Sequence, residues 1–163
     1  MAKITPCIWS EGDANEAAEF YVGLLPDSRI DKVWYSPAET PSGPAGMLLL
    51  VDLTLAGQPL QLLNGGPVDF KPNESISFVI ECDGQAEVDR LWHALTADGG
   101  EPSVCGWLKD RWGVSWQIVP RRLNELMADP DPDRARRATE AMLKMTKIEV
   151  AELERAADAV EVA

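Results

Sequence analysis

The stretch GVSWQIVP, residues 113–120, predicts one short buried strand with a glutamine in its middle. Strand side chains alternate between two faces, so Trp116 and Ile118 point to one side and Ser115 and Gln117 to the other. A buried amide must find partners for its donors and its acceptors, and a strand that only built a core would carry Thr or Val there. Gln117 therefore predicts that this strand lines a polar cavity.

Length and composition indicate a globular protein of one domain. The chain has 163 residues, of which 45% are hydrophobic and six are tryptophan. Its net charge of -12 disfavours nucleic acid, whose phosphates are also negative. The longest apolar run, residues 46–51, is far below the roughly 18 residues of a membrane span, and the N-terminus lacks the apolar core of a signal peptide. We therefore expect a cytoplasmic protein with no nucleic-acid partner and no membrane contact.

The first half of the chain predicts a strand, a helix and three further strands. ITPCIWSEG is typical of a strand, and Asp13 caps a helix whose apolar residues Ala17, Phe20 and Leu24 recur at helical spacing. The proline-rich residues 37–44 predict either a lid over the site or a disordered loop. The three further strands are expected at residues 29–35, 47–55 and 59–63.

The pattern of the first half then repeats. Val88 lies 71 positions after Ala17, and Leu91 and Leu95 keep the same offset from other apolar residues of the first helix. The sequence therefore predicts an α+β fold made of two strand–helix–three-strand modules. The second module has a strand at 75–82, a helix at 84–100 and short strands at 101–104, 106–110 and 115–119.

The residues after the last strand predict a C-terminal helical extension. Asp131 and Pro132 begin one of its helices, and Thr146 with Glu149 forms a capping box for another. We expect the extension to pack on the preceding domain or on a partner subunit. The expected bounds are residues 1–120 for a single domain, 3–66 and 74–120 for its modules, and 121–163 for the extension.

The following stretches span nearly the whole chain and carry a family resemblance: ITPCIWSEGDANEAAEFYVGLLPDSRI, GQPLQLLNGGP, SFVIECDGQAEVDRLWHAL, CGWLKDRWGVSWQIVP and AMLKMTKIEVAELE. The chain resembles the vicinal-oxygen-chelate superfamily, which includes glyoxalase I, extradiol dioxygenases and bleomycin resistance proteins. Within it the chain is similar to the PhnB-like branch, called 3-demethylubiquinone-9 3-methyltransferase-like. The resemblance implies a glyoxalase-like fold of two paired βαβββ modules, a small-molecule cavity between two half-open sheets, and a homodimer.

In metal-using relatives of this superfamily, His and Glu ligands project from the first and last strands of the modules. The resemblance places those positions near Pro6 or Cys7, at Gln61, near Ser77 and at Gln117. None of these residues is His, Asp or Glu, and an amide oxygen brings no charge to offset the dehydration of a divalent ion. We therefore expect no metal and no other cofactor.

The candidate ligand-binding residues are those expected to line the cavity. The alignment leaves open whether Cys7 and Trp9 or Pro6 and Ile8 face it, because a shift of one residue exchanges the two faces of a strand. His93, the only histidine, is expected to be a surface or half-buried residue of its helix. The expected ligand contacts are Trp9, Gln61, Ser77, Trp107, Trp112 and Gln117.

Three functions are open on these residues. The first is a small-molecule-binding protein that has lost the metal ligands of its superfamily. The second is an enzyme of the same fold, a lyase, dioxygenase or transferase, that uses Cys105, Cys7 or Glu81 as nucleophile or base. The third is a dimeric interaction protein with a vestigial pocket. Methyl transfer is disfavoured, because prolines follow the glycines of LNGGPVDFKP, where a methyl donor cofactor needs a helix.

Overall fold

The computed structural model of the chain describes residues 2–159. Met1 and residues 160–163, the end of the expected C-terminal extension, lie outside the described residues. The chain forms two compact units, one that runs up to Lys71 and one that starts at Pro72. None of the helices in the described part is both long and apolar enough to cross a membrane.

The first unit is a four-stranded sheet with a helix on one face. Its elements are β1 (Cys7–Ser10), α1 (Ala14–Leu24), β2 (Arg29–Tyr35), β3 (Leu48–Leu55) and β4 (Gln58–Asn64). The strands take the order β1-β4-β3-β2, with β1 parallel to β4 and the other neighbours antiparallel. Ala56 and Gly57 turn the chain between β3 and β4 with φ angles of 47° and 81°, the left-handed values of a tight hairpin turn.

The helix α1 buries the apolar face that its sequence spacing predicts. Ala17 and Tyr21 are buried, and α1 lies on β3 and β4. The helix begins after Asp13, as predicted, but the Asp13 side chain accepts no hydrogen bond from the helix backbone. The N–H of Ala14 donates to Oδ1 of Asn64 at 3.0 Å instead. The end of strand β4 therefore caps the helix.

The second unit repeats the order of elements of the first. Its elements are β5 (Phe78–Cys82), α2 (Gln85–Thr96), β6 (Glu101–Pro102), β7 (Trp107–Lys109) and β8 (Ser115–Pro120). The strand order β5-β8-β7-β6, with β5 parallel to β8, matches that of the first sheet. The predicted α+β fold of two strand–helix–three-strand modules is confirmed.

The C-terminal helices belong to the second unit and share an apolar cluster. They are α3 (Arg121–Met127), α4 (Pro132–Met142) and α5 (Val150–Asp158). Asp131 caps α4 by accepting the N–H of Asp133 at 2.9 Å, and Pro132 occupies the first turn, as predicted. The predicted capping box at Thr146 is wrong, because α5 begins only at Val150. The buried members of the cluster are Leu123, Leu126, Ala138, Met145, Ile148, Leu153 and Ala157.

Candidate functional site

The first sheet has one face against α1 and an opposite face that carries polar side chains. Residues paired across neighbouring strands point to the same face. Cys7 pairs with Gln61, Gln61 with Asp52, and Asp52 with Lys32, so these four residues form one row across the sheet. We call this row and the parallel row that contains Trp9 the first open face.

The register settles which residues of β1 share a face with Gln61. Trp9 pairs with Leu63, which lies two positions after Gln61, so Cys7 and Trp9 both belong to the first open face. Ile8 pairs with Leu62, which is buried on the opposite face. Of the two alternatives left by the sequence, the one with Cys7 and Trp9 on the face of Gln61 therefore holds for β1.

The carboxylate of Asp52 is the polar centre of the first open face. Nε2 of Gln61 donates to its Oδ1 at 2.7 Å, and Nε1 of Trp34 donates to its Oδ2 at 2.5 Å. The ammonium of Lys32 lies 3.2 Å from the centroid of the Trp34 ring. Sequence reasoning missed Asp52, although its charge interrupts the apolar strand LLLVDLTL and could have pointed to it.

Cys7, a candidate nucleophile, lies beside this carboxylate. Partial loss of water around its sulfur, followed by the negative charge of Asp52, raises the pKa of the Cys7 thiol. A raised pKa leaves less thiolate at neutral pH, and the thiolate is the reactive form. The surroundings of Cys7 therefore disfavour its use as a nucleophile.

Trp9 forms a wall of the first open face. Its Nε1 donates to the carbonyl oxygen of Gly66 at 2.9 Å, and its ring meets Phe70 edge to face at 5.4 Å between centroids. Gly65 is required beneath the ring, because a Cβ there would overlap Cε2 of Trp9. The hydroxyl of Ser42 donates to the carbonyl of Gly65 at 3.1 Å, so the proline-rich loop is attached to the same segment.

The second sheet has an equivalent face around Gln117. Val79, Gln117 and Trp107 pair across β5, β8 and β7 and so form one row. Nε2 of Gln117 donates to Oγ of Ser77 at 2.9 Å. Trp116 is buried on the opposite face, as the alternation in GVSWQIVP predicts. We call the row, with Ser77, the second open face.

A cleft of about 320 Å³ lies at the β6–β7 end of the second sheet, and Trp107 is part of its lining. Nζ of Lys109 lies 2.6 Å from Oε1 of Glu74 in this cleft. The hydrogen bond from Lys109 lowers the pKa of Glu74, so this wall carries a formed ion pair. The lining residues are Glu74, Glu101, Pro102, Ser103, Val104, Trp107, Leu108 and Lys109.

Trp112, by contrast, lies on the turn between β7 and β8 and is not part of this cleft lining. The Arg111 guanidinium stands 4.2 Å from the centroid of its ring. The backbone N–H of Trp112 donates to buried Asp110, which also accepts from Nε1 of Trp116 at 2.8 Å. The structure therefore brings Ser77, Trp107 and Gln117 together and gives Trp112 a position in a structural turn.

The other two catalytic candidates, Glu81 and Cys105, are hydrogen-bonded to residues outside the two open faces. Glu81 accepts from Nε of Arg121 at 3.3 Å and from Nδ2 of Asn124 at 3.1 Å, so α3 holds its carboxylate. Cys105 has a left-handed φ of 56°, and its N–H donates to the carbonyl of Met145 at 2.8 Å. These contacts tie Glu81 to α3 and Cys105 to the segment between α4 and α5. His93 is exposed on α2, as predicted.

The residues of the two open faces do not fit the cofactors that the superfamily implies. Gln61 and Gln117 stand at expected ligand positions, and residues 2–159 contain no cluster of three His, Cys, Asp or Glu side chains that could hold a metal ion. Neutral amides are poor ligands for a divalent transition metal. After β4, residues 65–77 contain no helix that could receive a methyl donor cofactor.

A protein-family model described as 3-demethylubiquinone-9 3-methyltransferase matches residues 2–119. The chain belongs to this family. This PhnB-like family is a branch of the vicinal-oxygen-chelate superfamily, so the resemblance found in the sequence is confirmed. The matched range ends before α3, and the C-terminal helices are therefore an addition to the part that the PhnB-like family model describes. No curated protein matches the chain.

Two solved structures, with TM-scores of 0.65 and 0.60, show the same fold. A PhnB protein from Bacillus cereus is 28% identical over 73% of this chain and 99% of its own, with a TM-score of 0.65. A protein from Pseudomonas aeruginosa is 21% identical over 74% of this chain and 98% of its own, with a TM-score of 0.60. A glyoxalase-related enzyme from Fulvimarina pelagi matches at 16% identity over 75% of this chain and 91% of its own, with a TM-score of 0.46.

Proposed function

We propose that this PhnB-like protein binds a small organic molecule without a metal ion. The observation that supports it most is that each sheet holds a half-buried glutamine, next to a tryptophan on the same face, at an expected metal-ligand position. A tryptophan supplies a flat apolar surface and an amide supplies a directional hydrogen bond. This combination is typical of small-molecule sites, in which a few polar groups orient a ligand against an apolar wall.

Native mass spectrometry of the whole protein, purified without added metal, tests this proposal. We expect a reproducible organic mass that dissociates on collisional activation. Gln117→Leu should lose that mass, because it removes the amide from the second open face. Gln58→Leu, at an exposed position that begins β4, is the matched control and should retain it. A stoichiometric metal mass that a chelator removes would overturn the proposal.

We also propose that the protein is a homodimer. Ile76, Val79 and Val104 of the second unit are 76%, 60% and 61% exposed in the single chain. Exposed apolar side chains favour burial against another protein surface. The same native mass spectra report the subunit number, and a monomer at micromolar concentration would contradict this part of the proposal.

A further inference from the structure

We infer that the first open face selects ligands that carry a neutral hydrogen-bond donor, because Asp52 fixes Gln61 with its carbonyl oxygen directed to the ligand. This inference rests on the proposed function and names the ligand class of the first sheet. It assigns Asp52 the role of a positioning residue, which acts on the ligand through Gln61.

The orientation of Gln61 follows from the chemistry of its partner. A carboxylate accepts hydrogen bonds and cannot donate them, so the atom of Gln61 that lies 2.7 Å from Oδ1 of Asp52 must be the nitrogen. A flip of the Gln61 amide by about 180° would place its Oε1 against Oδ1 of Asp52, and two acceptors cannot form a hydrogen bond. The indole of Trp34 donates to the other oxygen of Asp52 and holds the carboxylate in place. Gln61 therefore keeps Oε1 on the side away from Asp52.

The equivalent glutamine of the second sheet has a different kind of partner. Gln117 donates to the hydroxyl of Ser77 at 2.9 Å, and a hydroxyl can both donate and accept. The Gln117 amide can therefore turn over and remain hydrogen-bonded to Ser77. The first open face thus presents a fixed acceptor, and the second presents an amide that can adapt.

The charges around Gln61 decide which donors fit. The Asp52 carboxylate and the Lys32 ammonium, which lies above the Trp34 ring, carry opposite charges, so neither an anionic nor a cationic ligand gains a net attraction from the pair. A neutral N–H or O–H group avoids the desolvation cost that a charged ligand would incur without such a gain. Trp9, one row along the same face, offers a flat apolar surface for the rest of the ligand. The expected ligand is therefore a planar apolar group with a neutral donor, such as an amide or a hydroxyl.

Two matched probes test the inference on the full-length protein. Benzamide carries amide N–H donors, and N,N-dimethylbenzamide has the same ring and carbonyl without them. The side-chain NH₂ signals of Gln61, assigned by their loss in Gln61→Leu, are followed by NMR during each titration. We expect benzamide to shift these signals and to bind at least about fivefold more tightly, the effect of one hydrogen bond. Equal affinities would overturn the inference.

The role of Asp52 is tested with Asp52→Asn, which preserves shape but can present either an oxygen or a nitrogen to Gln61. We expect the ratio of the affinities for benzamide and N,N-dimethylbenzamide to fall towards one, while the backbone NMR spectrum remains that of a folded protein. Asp27→Asn, at an exposed position with a left-handed φ of 51° that asparagine tolerates, should keep the preference. An unchanged preference in Asp52→Asn would remove Asp52 from the mechanism. If neither probe shifts Gln61, the inference fails, and native mass spectrometry decides separately whether the proposed function stands.

Discussion

Oε1 of Gln85, at the start of α2, accepts the backbone N–H of Val150 at 2.7 Å, so one helix supplies the cap of another. Nε2 of the same side chain donates to the carbonyl of Ile148 at 3.1 Å and to Asp89 at 2.9 Å. Lys147 adds ion pairs to Asp89 and Glu149. The first turn of α5 is therefore attached to α2 by both ends of one amide.

Gln85→Ala is expected to destabilise the second unit by about 1–2 kcal/mol, the usual cost of losing a helix cap. The substitution leaves the Val150 N–H and the Ile148 carbonyl without their partner. Urea denaturation followed by circular dichroism measures the change, with the exposed Gln58→Ala as control. A wild-type midpoint for Gln85→Ala would mean that water replaces the amide without cost.

Gly65→Ala and Gly23→Ala should change stability in opposite directions. A methyl group at position 65 overlaps the Trp9 ring and should cost about 1–3 kcal/mol, together with a change in tryptophan fluorescence. Position 23 lies inside α1 with open space around it, so alanine there should stabilise the helix by about 0.5–1 kcal/mol. Thermal unfolding of both variants checks this pair, and a stable Gly65→Ala with an unchanged spectrum would contradict the account of Trp9.

Alkylation of Cys7 by iodoacetamide should be slow at neutral pH. Its raised pKa means that the thiolate fraction increases only at a higher pH than for an unperturbed thiol. The Asp52→Asn variant should react faster at the same pH, because the negative charge beside the sulfur is gone. Peptide mass spectrometry resolves the three cysteines of the chain. Faster alkylation of Cys7 in the folded protein than in the urea-unfolded chain would show that the sulfur is activated instead.

Cys82 should make stability fall in alkaline solution. Burial raises the pKa of this fully buried thiol from 9.0 to about 12, so the unfolded chain loses its proton first as the pH rises. The stabilisation is complete below pH 9 and declines above it. At pH 10 the loss should be about 1 kcal/mol relative to pH 8. Because other groups titrate there as well, the measurement is the difference between wild type and Cys82→Ala, and parallel stability curves would disprove the effect.

The sequence predicts the fold well because the evidence for it is local. The spacing of Ala17 and Leu24 within one helix, and its recurrence at Val88 and Leu95, appears in short stretches of chain. The features that the sequence does not reveal join distant positions. Asn64 caps a helix that begins 50 residues earlier, and Gln85 caps one that begins 65 residues later. The capping box that the local sequence predicts at Thr146 does not form, because α5 begins only at Val150.

The residues of the candidate site divide in the same way, into those that the sequence indicates and those that only the folded structure connects. Gln117 stands out because an amide conflicts with a buried strand, and the family resemblance adds Gln61 and Ser77. The charge in LLLVDLTL marks Asp52 in the sequence, but its pairing with Gln61 depends on the register, which is a property of the folded sheet. Trp112 lies on the turn between β7 and β8 with the Arg111 guanidinium over its ring, and its part in ligand binding stays a prediction.

The difference between Asp52 and Ser77 gives protein engineers two recognition surfaces that can be altered separately. Each glutamine donates to a neighbouring side chain of its own unit, so one substitution changes the hydrogen bonding of that surface and leaves that of the other in place. A carboxylate partner fixes the orientation of the glutamine amide, and a hydroxyl partner allows both orientations. A duplicated architecture can in this way evolve a new preference on one half while the other half retains the old one.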